Sequence, residues 1–265
     1  MPRTALRVME LTKDLTTPSR VVADTISADP VLAANIIRAA NSPLYTRDRP
    51  ITTLPAAVST LGHRAIHMLV VVLVAFDFFN RKSKSTASLR ALWEHSLTTA
   101  AASREICEAF GLRLGDQAFL TGLLHDIGRL LLLCHDPDRY TQLSLSVCEQ
   151  ELSAREREIY GYDHAEIGEH VAQYWRLPRE IVQAIKYHHK PEQAGEYSLV
   201  AHVVDAAGTL SNAAGATAAA HGGEGGCCDL SSVKLVAELG ITDEQLMEIW
   251  ERSVAKMQEL AHFFG

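Results

Sequence analysis

Hydrophobic residues recur along most of the chain at intervals of three or four positions, and almost no stretch alternates between apolar and polar residues. This spacing is typical of helices that bury one face. An early example is the repeat formed by Leu32, Ile36 and Ile37. Asp29 and Pro30 precede it as a helix cap and a first helical residue, a position where proline loses no hydrogen bond. The pattern predicts an all-α fold.

Interruptions of the same pattern give approximate bounds for further helices. A helix near Thr53–Thr60 is predicted to end at Leu61-Gly62. Val70–Ala75 is predicted to be a buried helix, although its β-branched residues favour a strand by propensity alone. Other helices are predicted over 89–110, over 116–134, from Pro178 to Pro191 and over 243–263.

A further helix is predicted to begin after Asp163. This residue and Glu166 have the spacing of a capping box, in which each side chain accepts a hydrogen bond from the backbone of the other. The predicted apolar face of this helix consists of Ile167, Val171 and Trp175.

Two polar or small-residue segments divide the chain. Residues 81–88 are rich in serine and lysine and predict a hinge between an N-terminal helical lobe and the helices that follow. Residues 212–228 are rich in alanine and glycine and have no apolar period, which predicts a flexible loop before the last helix.

Composition narrows the class of protein. The chain has 265 residues, of which 47% are hydrophobic and 22% charged, so a disordered or fibrous protein is excluded. The formal net charge is −7 with no basic block, which argues against a strong nucleic-acid-binding surface.

The longest apolar run, Leu69–Phe79, contains Asp77 and is shorter than the roughly 20 residues of a membrane span. The N-terminus has no apolar signal segment, so we expect a cytoplasmic protein without a membrane partner.

The cysteines give no sign of a disulfide framework, whereas the histidines are candidates for metal binding. Five cysteines without a regular spacing indicate reduced thiols, and the role of the adjacent Cys227-Cys228 pair stays open. Twelve histidines are present, and several lie next to carboxylates in apolar helical surroundings. Imidazole and carboxylate groups are suitable ligands for iron, manganese or zinc. The candidate metal ligands are His95, His125, Asp126, His164, His188, His189 and Asp205.

These candidates come from separate predicted helices, which suggests one shared site. Burying such groups is costly unless they are paired or bind a metal. A bridging carboxylate such as Asp126 would allow two metal ions, an arrangement used for hydrolysis at phosphorus. The alternative is that each histidine is a hydrogen-bonded core residue, with His188-His189 capping a helix C-terminus.

The motif Leu124-His125-Asp126-Ile127-Gly128 resembles the HD motif of metal-dependent phosphohydrolases. The order of several short motifs resembles the HDOD family in particular, an all-helical signalling output module related to the HD-GYP phosphodiesterases. These motifs are Asp29-Pro30, Asn41-Ser42, Leu61-Gly62, Gly161-Tyr162-Asp163-His164, Trp175-Arg176-Leu177-Pro178 and His188-His189.

The resemblance implies a domain over 2–212, with an N-terminal helical lobe over about 2–88 and an HD-like helical core over 89–212. Residues 213–265 would then form a flexible loop and a C-terminal helix. It also implies that all seven candidate ligands belong to one site. Arg129 stands where HD-GYP enzymes have a lysine that contacts the substrate phosphate, and Lys190-Pro191-Glu192 stands where they continue toward a Gly-Tyr-Pro signature.

Two functions remain open at this stage. The first is a signalling module with a retained metal site that binds a partner protein or a nucleotide. The second is a metal-dependent phosphodiesterase or phosphohydrolase acting on a nucleotide or cyclic dinucleotide, with Asp126 and Arg129 as catalytic residues. Either would use one or two divalent ions, with iron as first choice and manganese or zinc as alternatives. The sequence does not indicate an oligomeric state.

Overall fold

The structure is a computed structural model that describes residues 3–41, 50–83, 87–147, 149–218 and 234–264. Within these ranges all regular structure is helical, which confirms the predicted all-α class. The helices are α1 (Arg3–Leu11), α2 (Ser19–Ser27), α3 (Pro30–Ala40), α4 (Leu54–Ser83), α5 (Ala87–Ala109), α6 (Gly115–Leu124), α7 (Ile127–His135), α8 (Pro137–Ser146), α9 (Glu149–Tyr160), α10 (His164–Tyr174), α11 (Arg179–Lys186), α12 (Ser198–Ala218), α13 (Lys234–Leu239) and α14 (Asp243–Phe264), with a 3-10 helix over Pro191–Tyr197.

The chain divides into two compact units after Arg81. The first contains α1–α3 and most of α4, and the second contains α5–α14. The expected hinge over 81–88 lies at this division, although residues 84–86 are outside the described residues. The wider domain limits of 2–212 stay a prediction.

In the first unit, local signals in the sequence set the helix bounds. The Asp29 carboxylate accepts hydrogen bonds from the backbone N–H groups of Val31 and Leu32 at 3.1 and 3.0 Å, which confirms it as the cap of α3. Helix α4 is interrupted at Gly62, as predicted, where the backbone has φ 80° and ψ 167°. Only glycine adopts this conformation without strain.

The second unit is held together by a buried apolar cluster that joins α5, α6, α12, α13 and α14. Its members include Ile106, Val203 and Ile249. Helix α14 confirms the predicted final helix. Helices α13 and α14 contribute buried side chains to this core. Much of the segment 213–265, expected to follow the domain, therefore packs as part of the second unit.

The predicted helix over 116–134 is wrong in one respect, because it is two helices, α6 and α7, separated by His125 and Asp126. In a continuous helix the Gly122 carbonyl would accept the N–H of residue 126. Here it accepts a hydrogen bond from Nδ1 of His125 at 2.7 Å. The apolar residues on both sides of the break continue the helical pattern, so the sequence does not indicate it. The break places the side chains of His125 and Asp126 at a helix junction.

Two other predictions are corrected. The predicted apolar face of α10 is only half-buried, and the buried side of this helix carries small and polar residues instead: His164, Ala165, Gly168, Glu169 and Ala172. The loop predicted over 212–228 does not begin at residue 212, because α12 continues to Ala218, and the rest of that segment lies outside the described residues. Alanine has the highest helix propensity and extends this helix despite the absence of an apolar period. The Cys227-Cys228 pair lies outside the described residues.

Two helical stretches of the described chain, Leu54–Ala75 and Gly115–His135, are long and apolar enough to cross a membrane by length and composition alone. Their most apolar windows are 61% and 78% buried. Core helices pass the same test, so this is weak evidence for a membrane span.

Helices α7 and α10 approach each other so closely at Gly128 that a side chain has no room there. A Cβ atom at this position would lie 2.0 Å from the carbonyl oxygen of His164. The absent side chain lets α10 place His164 against the α6–α7 junction. Gly128 is thus required for the relative positions of two candidate ligands.

We predict that Gly128→Ala lowers the free energy of unfolding by about 3 kcal/mol, because the backbone of α10 must move away. Urea denaturation of the purified chain measures this. The control is Gly115→Ala, whose Cβ would meet Arg104 Cγ at an ordinary 3.6 Å. That variant is expected to change stability by less than about 0.5 kcal/mol. Equal losses in both variants would contradict the proposed close contact.

Candidate metal centre

Four short segments of the second unit bring the candidate ligands together. His95 comes from the middle of α5, and His125 and Asp126 occupy the α6–α7 junction. His164 is the first residue of α10, immediately after its capping residue Asp163. His188 and His189 follow the end of α11. The side chains meet at helix ends and junctions, where the backbone can turn toward a common point.

The Asp126 carboxylate lies at the centre of these histidines. Its Oδ2 atom is 3.8 Å from Nε2 of His95 and 3.5 Å from Nε2 of His125. Its Oδ1 atom is 3.5 Å from Nε2 of His164 and 3.9 Å from Nε2 of His188. Each oxygen therefore faces a different pair of imidazoles.

The ligand atoms form two groups that could each hold a metal ion. The HD group consists of His95, His125 and Asp126, and the triple-histidine group consists of His164, His188 and His189. Within each group the ligand atoms lie within 4.8 Å of one another. Because Asp126 also contacts the triple-histidine group through Oδ1, its carboxylate is placed to bridge the two.

Hydrogen bonds behind the imidazoles determine which ring nitrogens face the centre. The Nδ1 atoms of His125 and His188 donate to the carbonyl oxygens of Gly122 and Ile185, both at 2.7 Å. Nδ1 of His164 donates to the Glu156 carboxylate at 2.6 Å. Carbonyl and carboxylate oxygens only accept, so the proton resides on Nδ1. The Nε2 atoms then face the centre, and an imidazole that is neutral with its proton on Nδ1 can bind a metal through Nε2.

Burial and nearby charges shift the pKa values of these groups in different directions. Burial lowers the pKa of His125 to about 3, so this imidazole is neutral at physiological pH. Burial would also lower the pKa of His164, but the hydrogen bond and charge of Glu156 outweigh it and raise that pKa. Burial would raise the pKa of Asp126, yet His125 and Arg129 hold it well below its usual range. Asp126 is accordingly ionised.

Glu156 supports the site from behind and was not predicted from the sequence. It is fully buried, and one of its oxygens accepts from both Nδ1 and the backbone N–H of His164, at 2.6 and 2.8 Å. Its other oxygen accepts from the hydroxyl of Tyr140. The surrounding α9 sequence is highly charged and resembles a solvated helix, so no periodic signal distinguishes Glu156 from its exposed neighbours.

The residues present fit a divalent cation. Asp126 is 1% exposed, and its Oδ1 atom has no hydrogen-bond partner among the described residues. The Nε2 atoms of the triple-histidine group also lie close together, with 3.4 Å between those of His164 and His188 and 2.9 Å between those of His164 and His189. A buried carboxylate oxygen among imidazole nitrogens is stabilised by a positive charge, which a proton on His164 or a metal ion in the same place supplies. Imidazole and carboxylate donors are common to iron, manganese and zinc, so the donor set does not select the metal.

Two candidate residues lie differently from the rest. Asp205 on α12 is outside both groups of ligand atoms, and its role as a ligand stays a prediction. Burial, reinforced by the charge of Glu192, raises the pKa of Asp205 to about 6. Arg129 reaches the centre but pairs with Asp126 itself, with Nη1 3.1 Å from Oδ2.

The cluster is accessible from one side. The side chain of His95 is 16% exposed, and His189 is exposed at the surface although its Nε2 atom contacts His164. Structural zinc sites are usually closed to solvent, whereas catalytic sites keep an open position. The cluster therefore combines a buried carboxylate, Asp126, between two groups of imidazoles with a solvent-exposed edge at His95 and His189.

The helices and the buried His/Asp cluster define the class, an all-helical domain with a candidate metal centre. Within this class the chain belongs to the HDOD domain family, whose model matches residues 1–191. The match confirms the resemblance seen in the sequence motifs.

Solved structures of similar fold carry different functional names. A candidate phosphohydrolase from Shewanella amazonensis SB2B has a TM-score of 0.69 at 22% identity, covering 100% of this chain and 94% of that one. An HDOD domain protein of unknown function from Geobacter sulfurreducens has a TM-score of 0.56 at 25% identity, covering 99% and 87%. A candidate signal transduction protein from Marinobacter aquaeolei VT8 has a TM-score of 0.67 at 21% identity, covering 100% and 58%.

A relative by sequence is an uncharacterised protein of Treponema pallidum (strain Nichols), 26% identical over 207 residues. The alignment covers 74% of this chain but only 39% of the Treponema protein. This chain thus spans well under half the length of that relative.

We predict that Glu156→Gln lowers the pKa of His164, because the buried imidazole loses the negative charge that opposes desolvation, while the glutamine oxygen can still accept from Nδ1. In the native chain, protonation of His164 stabilises the fold below its unfolded pKa of about 6.5, and this contribution is lost as the pH rises through the raised folded value. Imidazole NMR titration of chelator-treated protein measures the shift. Glu158→Gln, on the exposed side of α9, is the control and should leave this pKa unchanged.

Proposed function

We propose that this HDOD protein is a signalling module that binds two divalent metal ions around Asp126. The observation that carries the proposal is the position of this carboxylate, whose two oxygens face separate groups of imidazole Nε2 atoms. His95 and His125 would hold one ion, and His164, His188 and His189 the other. Iron is the first choice, with manganese and zinc as alternatives.

The arrangement on the solvent side favours signalling over turnover. Arg129 is the residue expected to meet a substrate phosphate, but its guanidinium is bound to Asp126 Oδ2 at 3.1 Å. After His189 the chain continues through Lys190 and Pro191 into the 3-10 helix. The Gly-Tyr-Pro signature of HD-GYP enzymes is not found at this point of the sequence. A module of this kind would bind a signalling protein or a nucleotide and respond to it without consuming it.

Hydrolysis of a phosphate ester is the second candidate function, and the open edge at His189 favours it. Divalent ions, when bound in such a site, supply Lewis-acid activation of water and of the phosphoryl group. Asp126 and the histidines would position the ions, and the exposed edge would admit a nucleotide. Similar structures named as candidate phosphohydrolases are in keeping with this chemistry.

We predict that Asp126→Ala abolishes metal binding and lowers Tm, because the variant leaves converging imidazoles around a polar cavity with no carboxylate. Metal per chain is measured by elemental analysis after purification without chelator or a metal-affinity column. The native chain is expected to hold one to two ions, as a bridged site allows. The matched control is Asp138→Ala on exposed α8 surface, which should keep the native metal content. Unchanged metal content in Asp126→Ala would refute Asp126 as a ligand.

A turnover assay separates the two functions. Metal-loaded protein is incubated with nucleoside phosphates and cyclic dinucleotides, and phosphate-ester cleavage is followed by chromatography. Cleavage by the native chain that disappears in Asp126→Ala would establish the phosphohydrolase. Full metal content without cleavage of any of these compounds would support the signalling module.

A further inference from the structure

We propose that Arg129 makes the two halves of the metal centre unequal: the triple-histidine group binds an ion first and tightly, and the HD group binds a second ion weakly because Arg129 already neutralises its carboxylate oxygen. The inference rests on the proposed metal centre. It concerns the order and strength of ion binding, which the proposed function leaves undefined.

The triple-histidine group offers the more complete set of donors. It has three imidazoles, and the Asp126 oxygen that faces it, Oδ1, is buried without a hydrogen-bond partner in the described part of the chain. Glu156 adds a negative charge directly behind His164. A cation placed here gains a carboxylate oxygen that no guanidinium occupies, since Arg129 pairs with Oδ2.

The HD group is less favourable for two reasons. It has only two imidazoles, and the Asp126 oxygen that faces it, Oδ2, is closer to Nη1 of Arg129 than to either imidazole nitrogen: 3.1 Å against 3.5 and 3.8 Å. A divalent ion on this oxygen would lie beside a guanidinium, which is always protonated. Like charges this close repel strongly in a buried site. The guanidinium must therefore be displaced, or its hydrogen bond weakened, when the second ion binds.

The fold holds Arg129 close to Asp126 and leaves part of its side chain exposed. Asp126 immediately precedes α7 and Arg129 lies on its first turn, where the backbone N–H of Arg129 donates to the Asp126 carbonyl at 2.9 Å. This hydrogen bond holds the backbone of Arg129 next to that of Asp126, three residues earlier in the chain. The Arg129 side chain is 16% exposed, against 1% for Asp126, so it lies nearer the surface than the carboxylate it pairs with. Arg129 thus acts as a counter-ion that competes with metal, a positioning role without contact to a substrate.

The test is a titration of the full, chelator-treated chain with Mn²⁺, in which free Mn²⁺ is followed by its EPR signal. The native chain is expected to bind two ions in two steps, the second at least about tenfold weaker than the first. Arg129→Gln removes the charge and is expected to tighten the second step by about tenfold, since a hydrogen bond to a charged group no longer competes. The first step should not change.

Two further variants isolate the charge. Arg129→Lys keeps a positive charge on the same turn, so its second step should stay as weak as in the native chain. Arg155→Gln removes an exposed arginine of α9 that pairs with Glu158, and it should titrate as the native chain does. If Arg129→Gln does not fold, it will lack the first step as well, and Arg129→Met, which keeps the apolar stem, takes its place.

Several results would overturn the inference. They are a native chain that binds two ions with equal affinity, an Arg129→Gln or Arg129→Met variant whose second step is unchanged or weaker, and an Arg129→Lys variant that tightens as much as Arg129→Gln. A native chain that binds no Mn²⁺, Fe²⁺ or Zn²⁺ would instead overturn the proposed metal centre, so failure of the two proposals is distinguishable.

Discussion

The buried Asp126 carboxylate imposes the constraint on which the second unit depends. An ionised carboxylate that is 1% exposed must be compensated by donors or cations, because its transfer from water is otherwise prohibitive. Arg129 compensates one oxygen, while the other faces imidazole nitrogens whose protons are held on the far side of the rings. The break between α6 and α7 and the close approach at Gly128 both serve to place this carboxylate among its partners.

The histidines are positioned by what lies behind them. Carbonyl oxygens of Gly122 and Ile185 belong to the last turns of α6 and α11, where backbone acceptors are not used within the helix. The same hydrogen bonds therefore satisfy helix ends and orient ligands. Glu156 does this for His164 from a separate helix, at the cost of burying a second charge. Such support typically accounts for a 10–100-fold difference in metal affinity.

The HDOD fold does not decide between signalling and hydrolysis, because similar folds carry both names and function resides in the site. In this chain the contact that bears on this choice is the hydrogen bond from Arg129 to Asp126. It joins the residue expected to contact a substrate phosphate to the residue expected to bind the metal. In the proposed metal centre, a guanidinium in that position would make ion binding and access of a phosphate group mutually dependent. The charge balance of a single buried carboxylate therefore links the two candidate functions.

The sequence by itself determined the helical class, the cap at Asp29, the break at Gly62, the family and the histidines that converge, since local spacing and short motifs encode these features. It did not reveal the break at His125-Asp126, because the apolar residues on both sides continue the helical pattern without interruption. Nor did it reveal Glu156, whose charged helix has the composition of an exposed surface. Burial, tautomer and the pairing of Arg129 depend on contacts between residues distant in the chain, and only the tertiary structure brings those residues together.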